Sequence, residues 1–328
     1  MKKRILAVPM LVLLVCLNAC GRAEQNVIRL GTGDKGGGYY FFAKTLSALA
    51  EEGTFEILNT DGSADNIRRI AQGELDMAIV QNDTLHDAYN AQGCFQESGA
   101  VTNIGAVAAL YTAACHIVVR ADSDIRSIAD LQGRTVSTGK PESSTNKNAQ
   151  QILSAAGLKE TDVHVVHESF TDAAAALQEG RIDAFFCTAL VGLKALTALD
   201  DSMEIHILGI DDVLAQRLMA QYDSYARITI PANSYNGQYT PVQTVGVKAV
   251  LVAGTGFSAE KVKQVVHLLF DNAQEIEGTC RLGNAVDVDF ATRDVSIPFH
   301  DGTAEFYRNS GVQVRLDIPL DTDVYSVG

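Results

Sequence analysis

From residue 26 onward, short β-branched runs alternate with amphipathic segments, and glycines punctuate most of the joints. Residues 27–30 predict a strand, 31–38 a glycine-rich loop and 39–51 a helix. A second strand is expected over 55–58 and a second helix over 63–71. That helix turns Ile67, Ile70 and Ala71 to one face and stops at Gly73. Residues 77–80, Met-Ala-Ile-Val, read as a buried strand. Strands alternating with helices predict an α/β fold with mostly parallel pairing and helices on the faces.

The pattern repeats. Residues 70–80 (Ile-Ala-Gln-Gly-Glu-Leu-Asp-Met-Ala-Ile-Val) and 177–187 (Leu-Gln-Glu-Gly-Arg-Ile-Asp-Ala-Phe-Phe-Cys) share a helix end, a Gly, an Asp three residues later and an apolar strand. Two similar α/β lobes are the economical interpretation. Further strands are expected over 116–120, 134–137 and 245–252. A helix over 144–156 carries Ala149, Ile152, Leu153 and Ala156 inward, and another is expected over 259–275. Residues 231–241, rich in Asn, Tyr and Gly, read as an extended loop. The strand at 245–252 returns the chain to its first lobe, so lobe I is discontinuous (27–115 plus 243–328) and lobe II spans 116–242. Two lobes joined by crossing strands leave a cleft, where small ligands bind.

The first twenty residues have a different character. Lys2, Lys3 and Arg4 precede residues 5–17, which carry no charge. This is the basic region and short apolar core of a secretory signal, shorter than the roughly 20 apolar residues a membrane span needs. Leu17-Asn18-Ala19-Cys20 resembles a bacterial lipobox, which implies removal of residues 1–19, a lipid on Cys20 and a tether over 20–26; simple cleavage is the alternative. The expected location is therefore the periplasm, anchored to a membrane.

Composition narrows the partners. At 328 residues, 47% of them hydrophobic, the chain suits two globular domains. Its formal charge of −14 falls to −17 once residues 1–19 and their three basic side chains are gone, which excludes the basic footprint of a nucleic-acid binder. Cys94, Cys115, Cys187 and Cys280 remain beyond Cys16 and Cys20, with no C-x-x-C pair to suggest zinc. Three complete disulfide pairings are open in an oxidising compartment, and Cys115 and Cys187 also suit the part of small buried hydrophobes.

Gly31-Thr32-Gly33-Asp34-Lys35-Gly36 matches G-x-G-x-x-G between a strand and a helix. As a dinucleotide fingerprint it would enlist Asp61, but Asp61 lies about ten residues beyond the usual acidic position and Gly37 and Gly38 delay the helix. An exported enzyme with a nucleotide or phosphate site at 31–36 is thus the alternative reading. The same loop offers bare N–H groups to any anion, a carboxylate included. Residues 133–140 lack P-loop spacing. Ser143-Ser144-Thr145-Asn146 opens a helix, where hydroxyls and N–H groups can hold an anion or simply cap it. The histidines are scattered, with His164 and His167 on a strand-like run, and no motif demands catalysis.

In order and spacing, these pieces resemble the TAXI family of solute receptors that serve tripartite ATP-independent (TRAP) transporters. The resemblance spans residues 28–311. It is carried by Gly31-Thr32-Gly33, Gly37, Tyr39-Tyr40, Gly62-Ser63, Asn66, residues 73–83 and 137–149, and Ile230-Pro231-Ala232 with Gly237-Gln238. Thr244-Val245-Gly246-Val247, Ile297-Pro298-Phe299-His300 and Tyr307-Arg308 complete it. It implies a two-lobed, type II periplasmic-binding-protein fold, no enzymatic activity and no cofactor. It also implies a small carboxylate or amino acid ligand such as glutamate, glutamine or 2-oxoglutarate, hinge closure, and delivery to TRAP permease subunits. Carried over by position, the ligand contacts are Thr32, Gly37, Tyr39, Tyr40, Asn66, Gln81 and Asp83 from lobe I, with Ser143, Ser144, Thr145, Thr188 and Ala189 from lobe II. The chain departs from the family at Glu142-Ser143-Ser144-Thr145-Asn146, where Gly-Ser-Gly-Thr-Glu is usual. Asp34 and Lys35 replace small residues, and Phe41 stands where Pro is common. Lys35, Lys140 and Lys147 are candidate cations near the ligand.

Overall fold

A computed structural model describes residues 27–282 and 287–316. The signal, Cys20 and the tether lie outside them. The first run of the chain is β1 (Ile28–Gly31), α1 (Gly38–Leu49), β2 (Phe55–Leu58), α2 (Ser63–Ala71) and β3 (Met77–Gln81). Then come α3 (Asn82–Tyr89) and the long β4 (Ile104–Arg120). The second run is β5 (Thr135–Ser137), α4 (Ser144–Ala155), β6 (His164–Val166), α5 (Phe170–Gln178) and β7 (Ala184–Ala189). It leads through α6 (Lys194–Ser202), β8 (Ile205–Ile207), α7 (Asp212–Gln221) and β9 (Tyr225–Ile230) to the long β10 (Val242–Gly254). Helices α8 (Ala259–Asp271), α9 (Ala273–Cys280), α10 (Val288–Thr292) and α11 (Ala304–Asn309) follow.

The fold is α/β, as the alternation predicts. Strands β2, β1 and β3 pair in parallel, and so do β6, β5 and β7. Both ends join through antiparallel β4 and β10 into one sheet of order β2-β1-β3-β10-β4-β7-β5-β6, with β8 beside β4 and β9 beside β10. A single hydrogen-bonded sheet forms because these two strands are long enough to serve both ends. Seventeen residues of β4 extend about 55 Å at roughly 3.3 Å each. Residues 104–114 of β4 pair with β10, and residues 114–119 pair with β7.

The internal repeat is visible in atomic detail. Gly73 and Gly180, after α2 and α5, take φ of 74° and 72°, the left-handed turn that glycine reaches without strain. Asp76 accepts the N–H of Arg29 at 2.8 Å and returns its own N–H to the Arg29 carbonyl. Asp183 does the same with Thr135, also at 2.8 Å. Each Asp thus staples the strand it precedes (β3 or β7) to the first strand of its run.

Apolar side chains form four buried clusters, two on the faces at each end of the sheet. Phe42, Leu46 and Leu269 pack on one face of the β1–β3 end, and Ile67, Leu85 and Tyr307 on the other. Ile152 and Leu218 cover one face of the β5–β7 end, and Leu177 and Leu196 the other.

Two expectations change. The strand expected over 116–120 begins at Ile104, because 104–115 is an Ala-rich stretch buried on both faces and shows no alternation. The helix expected over 259–275 breaks at Asn272 into α8 and α9. Loop 231–241 is anchored, for Tyr235 is buried and its hydroxyl meets His116 Nε2 at 3.0 Å. Cys94 is exposed and Cys115, Cys187 and Cys280 are buried, all four as free thiols.

Candidate functional site

Four helices begin at one place. The N-cap residues of α1, α2, α3 and α4 are Gly37, Gly62, Gln81 and Ser143, and all four line a cavity of about 50 Å³ between the two ends of the sheet. This follows from the repeat: each βα loop leaves the carboxyl end of its strand, and ligands gather there in open α/β sheets. Gly37, Gly62 and Gln81 make no side-chain cap bond, whereas Ser143 Oγ accepts from the Asn146 N–H at 3.2 Å. Helix N-termini carry partial positive charge, so their convergence prepares the space for an anionic group.

The rest of the lining is hydroxyl-rich and aromatic. Tyr39 OH lies 3.5 Å from Ser63 Oγ, which accepts the Gln81 N–H at 3.0 Å. Thr145 Oγ1 accepts the Thr188 N–H at 3.3 Å, and Phe170 closes one wall. Two polar atoms of the lining have no hydrogen-bond partner although their residues are only 1% exposed: Tyr111 OH and Gln81 Oε1. Burial raises the phenols of Tyr39 and Tyr111, so both are protonated donors at neutral pH. Burial also pushes the Cys115 thiol, beside Thr188, up to about 12.

The two ends of the sheet meet around this cavity. Lys140 Nζ reaches Asp34 at 2.9 Å and Asp61 at 3.0 Å. Lys147 Nζ reaches Asp83 at 3.1 Å and Asp87 at 2.7 Å, and Arg68 pairs with Glu142. Thr84 and Ser144 exchange a hydroxyl bond of 3.0 Å. Gly62, at φ 117°, approaches so closely that a Cβ there would sit 2.8 Å from Ser143 Cα.

Of the residues predicted as ligand contacts, Gly37, Tyr39, Gln81, Ser143, Ser144, Thr145, Thr188 and Ala189 line the cavity. Thr32, Tyr40, Asn66 and Asp83 do not. Thr32 is fully buried and donates both its N–H and its hydroxyl to the Leu58 carbonyl. Asn66 Nδ2 ties the carbonyls of Thr32 and Ile79 together at 2.8 and 2.9 Å, which makes it a brace behind the loop. Asp83 faces Lys147 in a larger open groove of about 1150 Å³. Tyr40, on α1, is outside the lining. The candidate cations Lys140 and Lys147 are engaged by carboxylates, and Lys35 is exposed. Sequence reasoning missed Tyr111, whose only local signal is a hydroxyl-bearing aromatic within the Ala-rich stretch of β4. It also missed the Asp34–Lys140–Asp61 group. Gly31, the first glycine of the fingerprint, serves packing: a Cβ there would lie 2.4 Å from Leu75 and 2.7 Å from Asn66. Among the described residues no helix is long and apolar enough to cross a membrane.

Fold and cavity define the class: an α/β protein with a small chamber between two sheet ends joined by crossing strands. The chain belongs to the NMT1-like family, whose model matches residues 30–311. Among solved structures it is similar to the periplasmic aliphatic sulphonate binding protein of Escherichia coli (18% identity, 89% of this chain and 96% of that one, TM-score 0.45). The alkanesulfonate-binding protein of Xanthomonas axonopodis pv. citri bound to MOPS matches at 17% identity over 80% of this chain and 82% of that one, with TM-score 0.48. An ancestral arginine-binding protein bound to arginine matches at 15% identity, 78% and 98% coverage and TM-score 0.48. Membership rests on the family match.

Proposed function

We propose that the protein is an extracytoplasmic solute-binding receptor of the TAXI type, exported, lipid-anchored at Cys20, and delivering a small carboxylate or amino acid to TRAP permease subunits. In this reading lobe I (27–115 and 243–328) and lobe II (116–242) close on the ligand about β4 and β10. The observation that carries it is the convergence of four helix N-caps, from both ends of the sheet, on a chamber that also holds the orphaned Tyr111 hydroxyl and Gln81 Oε1. Such a site binds through several neutral hydrogen bonds in a dry space, each contributing roughly 0.5–1.5 kcal/mol, and releases its ligand when the lobes part. The relatives reported to bind sulphonates or arginine support a receptor role and leave the ligand open.

Thermal-shift screening of the mature protein against glutamate, glutamine, 2-oxoglutarate and nicotinamide nucleotides tests the proposal. Stabilisation by members of the first group is expected. Stabilisation by nucleotides alone would replace the receptor reading with the exported enzyme.

A further inference from the structure

The charged lining of the cavity is lopsided. Lys140 is the one cation among the lining residues, and its ammonium already lies 2.9 Å from Asp34 and 3.0 Å from Asp61, both of which also line the space. Two carboxylates and one ammonium leave no cation for an incoming anion, so whatever negative group the ligand bears must be held by neutral donors. Two such donors lie together. Gly38 is the first residue of α1, and a Cβ placed on it would lie 3.2 Å from Tyr111 OH. The phenol hydroxyl therefore lies against the first turn of α1, and both offer hydrogens. Tyr111 is 1% exposed and its hydroxyl has no partner, although a buried hydroxyl is costly to leave unsatisfied. Gln81, equally buried and unpartnered at Oε1, supplies an acceptor in the same cavity.

Resting on the receptor reading, we propose that the ligand is a net-neutral amino acid, with one carboxylate and one ammonium, and that Tyr111 is a specificity-determining residue donating to that carboxylate at the N-terminus of α1. The ammonium is served by the Gln81 acceptor and by the net negative lining. A second carboxylate, as in glutamate or 2-oxoglutarate, meets that negative lining with no cation to receive it. Gly38 keeps the meeting point open, because any side chain there would crowd the phenol.

Calorimetric titration of the exported chain with L-alanine, L-glutamine, L-glutamate and 2-oxoglutarate at neutral pH, on wild type and Tyr111→Phe, tests this. The neutral amino acids should bind at least about tenfold more tightly than the two dicarboxylates. Tyr111→Phe should weaken that binding about ten- to a hundredfold, the range of one hydrogen bond to a charged group. Its Tm should be unchanged or higher, since the orphaned hydroxyl is gone. Gly38→Ala, which sets a methyl against the hydroxyl, repeats the test from the backbone side and should also weaken binding. Dicarboxylates binding as tightly as glutamine, or a Phe variant that folds and binds like wild type, would overturn the inference while leaving the receptor reading intact. Binding of none of the four compounds would overturn both.

Discussion

Asn66 and Gln81 look alike in the sequence, two amides at the ends of α2 and β3, yet the structure gives them different work. Asn66 is fully buried and holds two carbonyls, one from the loop after β1 and one from β3, so Asn66→Ala should cost about 2–3 kcal/mol of stability, read by urea unfolding. Gln81 Oε1 has no partner to lose within the protein. Gln81→Ala should leave the urea midpoint close to wild type and weaken ligand binding about three- to tenfold by calorimetry. Unchanged affinity would remove Gln81 from the site. The motif spacing made both residues visible, but their roles depend on where each amide points.

Among the elements, the two βαβαβ runs are held by the same device, an Asp that receives the N–H of a neighbouring strand. Asp183→Ala should cost about 2 kcal/mol by loosening β7 from β5, and Asp76→Ala should act likewise on β3 and β1. Comparable losses in denaturant midpoint would confirm that the repeat is structural; a silent Asp183→Ala would refute it. The second device is His116 on β4. Its Nδ1 lies 3.0 Å from the Ala114 carbonyl and 3.2 Å from that of Cys187, while Nε2 accepts from Tyr235, fixing loop 231–241. Burial lowers its pKa to about 4, so the folded protein keeps it neutral where the unfolded chain, near 6.5, takes up a proton. Between those values the unfolded state binds more protons, so this contribution is fully present above about 6.5 and is lost as pH falls towards 4. The unfolding free energy of wild type should therefore decline over that window by about 3 kcal/mol more than that of His116→Gln.

For the whole molecule, the two ends of the sheet are drawn together by ion pairs that flank the cavity. Lys147 bridges Asp83 and Asp87; burial opposes its charge, but the two carboxylates prevail and hold its pKa above the ordinary lysine value. The ammonium therefore keeps its charge through neutral pH and loses it as pH rises past that elevated value. Lys147→Met should favour the open arrangement, seen as a larger radius of gyration by small-angle X-ray scattering and as weaker ligand binding. An unchanged scattering profile with unchanged affinity would show that the bridge does not govern closure.

Local signals in the sequence determined much of this protein. Apolar periodicity and glycine stops placed β1 to β3, α1, α2 and α4, and the doubled Gly-x-x-Asp pattern announced the repeat. Glycine and serine loops after strands foretold helix N-termini open to an anion. These features are legible because each depends on neighbours within a few residues. Tertiary structure alone decided that β4 and β10 run through both ends of the sheet and that Tyr111 faces the cavity. It also decided that Lys140 is already taken by Asp61, 79 residues away, and by Asp34. Pairing between distant charges and the aim of a side chain from a strand buried on both faces leave no periodic trace. The chain's chemistry was therefore readable at its loops, and the charge balance of its cavity only in the folded protein.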